Sequence, residues 1–297
     1  MSSPSNLAPG HLFCFGLGYT CRRLAQRLLK QGWRVSGTTR SEEGANTLRQ
    51  DGIETWLFGG SAGDTFGKTA FADVTHVIAS IPPGAEGDPA LVGQPDWISH
   101  APSLRWVGYL STPAVYGDRG GAFVHEDDEP NPGSGRGERR LAAERAWVSA
   151  FEKTDVSVQV FRLSGIYGPG RSAIDQVRNG KARIIDKPDQ VFNRIHVDDI
   201  GTILMASMQR PNHGRIYNVA DDEACPSGDV IRYAAALLGM DPPRPIPFDS
   251  AELSPMARSF YSECKRLDTT RIKSELGVRL DYPTYREGLQ SILRAEL

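Results

Sequence analysis

The chain has 297 residues, of which 39% are hydrophobic and 24% charged, with a formal net charge of −2. That is enough apolar material for one large core or two modest ones, and the balanced charge gives no general attraction for nucleic acid or an anionic membrane. No stretch approaches the ~18 apolar residues of a membrane span, so the expected partner is a small molecule. Cys14, Cys21, Cys225 and Cys264 lack CxxC spacing, and two of them lie in apolar segments. They read as free, buried thiols of a reducing, cytoplasmic setting, not as a disulfide frame or a zinc site. The first ten residues have neither a basic patch nor an apolar h-region and read as a frayed tail, not a signal peptide.

Taken in chain order, the first half alternates strand and helix patterns. Residues 11–15 form a short apolar run, and residues 20–30 follow as an amphipathic helix with Leu24/Leu28 and Ala25/Leu29 at i, i+4. Strands are expected at 33–38, 53–58, 74–80 and 106–111, with a helix over 42–49 capped by Ser41. The stretch from Pro82 to Pro102 is broken by prolines and glycines and supports no long helix. A helix over 141–151 places Ala143, Trp147 and Phe151 on one core stripe, and a strand over 156–163 follows. Beyond it, helices are expected over 200–207, over 227–238, and after Asp268 and Pro283. The fold class is therefore α/β, a Rossmann-type doubly wound parallel sheet with a smaller C-terminal lobe. The dinucleotide-binding domain is expected over 1–163 plus about 191–220, and the substrate lobe over about 164–190 plus 221–297.

Directly after the first strand stands Gly16-Leu17-Gly18-Tyr19-Thr20-Cys21. In such a loop the first glycine permits a tight turn and the second lets backbone N–H groups approach a pyrophosphate at the helix N-terminus. Cys21 replaces the third small residue and is still small enough for close helix–strand packing. Gly16, Gly18, Tyr19 and Thr20 are thus candidate cofactor residues, together with Ser80 and Ile81 at the end of the fourth strand. The second strand ends in Thr39-Arg40-Ser41 without a carboxylate. An arginine fork flanked by hydroxyls suits a 2′-phosphate, so NADP is expected, with NAD the alternative.

Four further motifs stand in order: Ser111-Thr112-Pro113-Ala114-Val115-Tyr116-Gly117, Arg162 to Gly170, Arg194 to Ile200, and Tyr217-Asn218-Val219-Ala220-Asp221. Together they resemble the extended short-chain dehydrogenase/reductases, in particular the NAD-dependent epimerase/dehydratase family of sugar-nucleotide enzymes. The resemblance runs from about Leu12 to the end of the chain. It implies a bound NAD(P), a substrate lobe, and chemistry by a Ser/Thr, a Tyr and a Lys. The hydroxyl falls on Thr112. In the segment Ser134-Gly135-Arg136-Gly137-Glu138-Arg139-Arg140-Leu141-Ala142-Ala143-Glu144 the register set by Leu-Ala-Ala-Glu puts Arg136 where the family has Tyr and Arg140 where it has Lys. More narrowly, the chain resembles a divergent bacterial epimerase-like subgroup with the same Gly-Arg replacement.

A guanidinium stays protonated and cannot hand on a proton as a phenol does. Thr112, Tyr116, Arg136 and Arg140 are the candidate catalytic residues, with Arg162, Tyr167 and His196 on the substrate side. An active enzyme would draw its acid–base set from Thr112, Tyr116 and Tyr167. Two functions fit: an NAD(P)-dependent oxidoreductase or isomerase of a small, anionic or sugar-nucleotide-like metabolite, or a catalytically silent NADP-binding sensor. Arg136 and Arg140 would favour an anion, unless the glycines at 133, 135 and 137 loosen this loop into solvent. No metal is expected: Asp198 or Asp199 reads as the cap of the helix from Ile200. The run Glu126-Asp127-Asp128-Glu129 reads as a solvated loop. The family commonly dimerises through two long helices, and the broken 82–102 stretch argues for a weak or absent interface of that kind.

Overall fold

The structure is a computed structural model that describes residues 8–59 and 67–296; the tail expected at the N-terminus lies, for residues 1–7, outside them. Strands β1 (His11–Phe15), β2 (Arg34–Thr39), β3 (Glu54–Leu57), β4 (His76–Ala79) and β5 (Trp106–Ser111) alternate with α1 (Tyr19–Leu29), α2 (Glu42–Gln50) and the short α3 (Pro89–Val92). Then follow β6 (Phe123–Val124), α4 (Gly135–Ala150), β7 (Ser157–Leu163), β8 (Gly165–Tyr167), α5 (Ala173–Arg178), β9 (Ile184–Asp186), β10 (Arg194–His196) and α6 (Val197–Gln209). The chain ends with β11 (Ile216–Val219), α7 (Ser227–Leu237), β12 (Pro245–Pro247), α8 (Pro255–Phe260), β13 (Arg266–Leu267), α9 (Thr270–Ser274) and α10 (Tyr285–Ala295).

The expected doubly wound sheet is present, with seven strands in the order β11-β7-β5-β4-β1-β2-β3. Its pairs β1–β2, β2–β3, β1–β4, β4–β5 and β5–β7 are all parallel. The winding reverses between β1 and β4, the switch point at which such sheets bind ligands. Strands buried on both faces need unbroken apolar runs, and β1 and β4 are buried at every residue. Between Pro82 and Pro102 only α3 and a 3₁₀ segment form, as the prolines dictate.

The chain divides into two units: 1–112, 138–162 and 201–217 in the first, and 113–137, 163–200 and 218–297 in the second. The segment 113–137, which the sequence reading left with the dinucleotide-binding domain, clusters with the second unit. The first unit's core is aromatic, with Phe13, Phe15, Phe71, Trp97, Trp147 and Phe151 buried together. Ala143 and Trp147 of α4 and Phe151, just past its end, are buried together as expected. The second unit packs α5, α7 and α10 around Ile174, Ile231, Ala234 and Leu289.

Helix α4 starts at Gly135, six residues before the expected start. Ser134 Oγ accepts from Gly137 N at 3.2 Å, and a Cβ on residue 137 would meet Ala114 O at 2.8 Å and Pro132 Cβ at 2.9 Å. Gly137 is therefore a packing glycine in a capped first turn, and the loosened loop is not what forms. Helix α6 likewise starts at Val197, so Asp198 and Asp199 sit in its first turn and do not cap it. Asp199 instead accepts from Asp281 N at 2.8 Å and Tyr282 N at 3.0 Å, stapling the chain before α10.

Glu144 and Arg162 form a buried pair, with side chains 4% and 1% exposed. Arg162 Nη2 donates to Glu144 Oε2 at 2.8 Å and Nε to Oε1 at 3.2 Å, while Ser111 Oγ donates to Oε1. Removing one member leaves a buried charge without its counterion, so Glu144→Ala should destabilise the first unit by about 3–5 kcal/mol in urea unfolding. The apolar double variant Glu144→Leu/Arg162→Met should recover most of that loss. Equal destabilisation of both variants would show that packing volume, not charge, is what the pair supplies.

Candidate functional site

The loop after β1 is held by the end of β2. Gly16 N donates to Thr38 Oγ1 at 2.9 Å and Leu17 N to Thr38 O at 2.8 Å. Gly16 has φ +90°, and a Cβ there would lie 2.9 Å from Ser80 Oγ and 3.0 Å from Ile81 Cγ1, so only glycine fits. Ser80 Oγ closes the turn by donating to Gly16 O at 2.7 Å. Ser80 and Ile81 thus shape the loop, as does Thr38, which the sequence reading passed over. Gly18 is exposed and extended, with open space where a side chain would stand. The first turn of α1, opened by Tyr19 and Thr20, has no side-chain cap and no acidic residue. Its amides are therefore presented to an anion.

Cys21 is buried under this loop, and the thiols of Cys21 and Cys14 hydrogen-bond one another. At the far end of β2, Arg40 is exposed and Thr39 half-buried. Ser41 caps α2, its Oγ accepting from Gly44 N at 3.2 Å.

Arg140 lies against β5. Its Nη1 donates to Leu110 O at 2.8 Å, and its guanidinium stands 5.8 Å from the Tyr109 ring centre. Its Nε is buried and has no partner among the described residues. A buried donor without an acceptor costs free energy unless a ligand supplies one. The open first turn of α1, the glycine cradle at residue 16 and this orphaned donor, all in the first unit, fit a dinucleotide. Thr112, half-buried, follows β5.

The remaining candidates fall differently from expectation. Arg162 is buried and is the partner of Glu144. Tyr116 is fully buried, and its phenol donates to Asn218 Oδ1 at 2.7 Å. Tyr167 is 8% exposed and donates to Thr284 O at 3.4 Å; burial pushes its phenol well up, with Asp221 and Asp199 adding to the shift. Neither phenol presents its proton to solvent. His196 is buried between the rings of Tyr167 and Tyr282, at 5.2 and 4.0 Å. Glu126 is not in a solvated loop: it is 5% exposed and accepts from Asn218 N at 2.9 Å. Cys14, Cys21 and Cys225 are buried free thiols and Cys264 is half-buried.

Arg136 is exposed in the first turn of α4, with its guanidinium 5.1 Å from the centre of the Phe260 ring. The second unit also holds a cavity of about 200 Å³, lined among others by Ile184, Lys187, Gln190, Ser227, Arg232 and Tyr261. None of these residues was singled out from sequence, because β9, the start of α7 and the end of α8 come together only in the fold. Lys187 Nζ donates to Gln190 Oε1 at 3.0 Å and to Tyr261 O, and Arg232 pairs with Asp229 at 2.8 Å. Among the described residues no group of three His, Cys, Asp or Glu side chains is placed to hold a metal, and no helix is long and apolar enough to cross a membrane.

A glycine loop at the switch point of a parallel sheet, followed by the ordered later motifs, is the arrangement of the extended short-chain dehydrogenase/reductase fold. Residues 98–220 match the sequence model of the NAD dependent epimerase/dehydratase family. It is 47% identical to a functionally unknown conserved protein from Silicibacter pomeroyi DSS, covering 96% of this chain and 99% of that one with a TM-score of 0.89. It is 28% identical to Protein YeeZ of Escherichia coli K12 over 278 residues, 90% of this chain and 94% of that protein. MoeE5, solved with NAD and UDP-glucuronic acid, shares the fold: TM-score 0.75, 20% identity, and 97% and 100% of the two chains.

Asp221, the last residue of the Tyr217–Asp221 motif, is 4% exposed, and its Oδ2 has no partner among the described residues. Burial pushes its pKa up from the ordinary carboxyl value to about 8, against the pull of Glu223 N and Arg194. The folded state therefore holds a proton that the unfolded chain releases near pH 4. This group's stabilisation is complete below pH 4 and is lost as pH rises through about 8. Asp221→Asn should match wild type in thermal melts at the acid end and exceed it increasingly up to pH 8, by more than ~1 kcal/mol there. Parallel pH profiles would mean that the carboxyl is charged in the folded state.

Proposed function

We propose that this chain is an NADP(H)-preferring oxidoreductase or isomerase of the epimerase/dehydratase type, acting on an anionic, sugar-nucleotide-like metabolite. The observation that carries the reading is the glycine turn at residue 16, closed by Thr38 and Ser80, ahead of an uncapped first turn of α1. The bound nicotinamide would supply or accept a hydride. The chain's own residues would then do the following. Gly16, Gly18 and the first turn of α1 hold the pyrophosphate, Arg40 with Thr39 and Ser41 receives the 2′-phosphate, and Arg140 offers its buried Nε to the cofactor's acceptors. Arg136 contributes fixed positive charge rather than a transferable proton.

The cavity of the second unit is the pocket offered to a substrate. At about 200 Å³ it falls below the ~300 Å³ lower end of drug-sized pockets, so it would take one ring-sized moiety of a larger ligand. MoeE5 is solved with NAD and with either UDP-glucuronic acid or UDP-glucose, and these nucleotides are the first ligands to try here.

Calorimetry should give tighter binding of NADPH than of NADH by wild type, roughly tenfold, with the difference lost in Arg40→Ala while NADH affinity is unchanged. Equal wild-type affinities would remove the NADP assignment. Incubation with oxidised cofactor and UDP-glucuronic acid, followed by nicotinamide absorbance and product mass, should show turnover. Binding of both without any product would favour the silent binder.

A further inference from the structure

Arg136, in the second unit, is exposed in the first turn of α4. It makes no hydrogen bond and no ion pair with any described residue, and its guanidinium lies over the ring of Phe260, 5.1 Å from the ring centre. The cations of the cavity wall are occupied, Lys187 by Gln190 and the Tyr261 carbonyl and Arg232 by Asp229. A guanidinium laid on an aromatic face keeps its N–H edge free, and that planar edge matches the two oxygens of a carboxylate.

Phe260 is itself 51% exposed, and Met256, one turn earlier on the same face of α8, is 66% exposed. The exposed face of the Phe260 ring is where the Arg136 guanidinium lies. The next residue, Tyr261, anchors this end of α8 to the cavity: its ring packs against Phe192 at 5.1 Å and Phe248 at 5.2 Å, and it lines the cavity wall. Arg136 is fixed from its own side by the Ser134 cap and by the close packing of Gly137. The guanidinium is thus held between a capped helix start and a ring one residue from the cavity.

We propose that Phe260 is the positioning residue that turns Arg136 into a carboxylate reader, so that the site selects a uronate-type, acidic sugar over its neutral counterpart. This rests on the reading that the cavity takes a sugar nucleotide. The direct test is calorimetry of the full-length protein, saturated with NADP, against UDP-glucuronic acid and UDP-glucose. Wild type should prefer the acidic ligand by about tenfold, the ratio expected of one bidentate charge-assisted contact. Arg136→Ala should abolish the preference, and Phe260→Ala should cut it to within about threefold while leaving UDP-glucose affinity unchanged. Phe260→Trp should restore it, and Phe260→Ala should have no further effect in the Arg136→Ala background. A ring needed only for folding would weaken both ligands together and lower the melting temperature, which overturns the proposal. So does equal wild-type affinity for the two ligands, with the sugar-nucleotide reading left standing. If neither ligand binds while NADP does, the sugar-nucleotide reading fails and the proposal with it.

Discussion

An arginine and a glutamate withdrawn almost wholly from water stay charged only if they face each other with their remaining lone pairs and protons engaged. Arg162 and Glu144 face each other through two hydrogen bonds, with the Ser111 hydroxyl as third member. The pair is costly to desolvate and adds little net stability over an apolar filling. What it supplies is register: it joins the last residues of β5 and β7 to one position on α4. On a helix, residues four apart share a face at ~6 Å spacing. Fixing residue 144 therefore places residue 140 one turn nearer the N-terminus of α4.

The first unit was largely legible in the sequence because its determinants are local. A strand, a tight glycine turn and an amphipathic helix lie within 20 residues. What escaped depends on partners far apart in the chain. Arg162 was read as a ligand residue because nothing near it in sequence reveals Glu144. Glu126, in an acidic run, looked solvated; its partner Asn218 is 92 residues away. The start of α4 was misplaced because two glycines in six residues argue against a helix, and only the approach of Ala114 and Pro132 shows why one of them is there. The cavity was invisible for the same reason, since its walls come from β9, α7 and the end of α8.

The second unit keeps its titratable groups neutral or paired in the interior. Asp221 is driven toward its protonated form by burial, Asp199 to a pKa of about 6 by burial against two backbone donors, and Tyr167 far up by burial beside both carboxyls. A phenol held protonated and donating to a backbone carbonyl is a poor proton carrier at neutral pH. Tyr116, with its proton on Asn218, is engaged in the same way.

These facts bear on what the exchanged residues can do. A phenol with a neighbouring amine offers a proton whose position shifts during reaction, whereas a guanidinium offers charge that does not move. Fixed charge helps most where negative charge builds up in a site from which water is excluded. It also holds an anionic group in one orientation, which a neutral hydroxyl does less strongly. In the proposed reading the chain binds a dinucleotide and has fixed charge, with no movable proton, at residue 136. The gain is on the substrate side: an acidic group on the ligand can meet Arg136 as a planar counterion, already oriented by the ring beneath it.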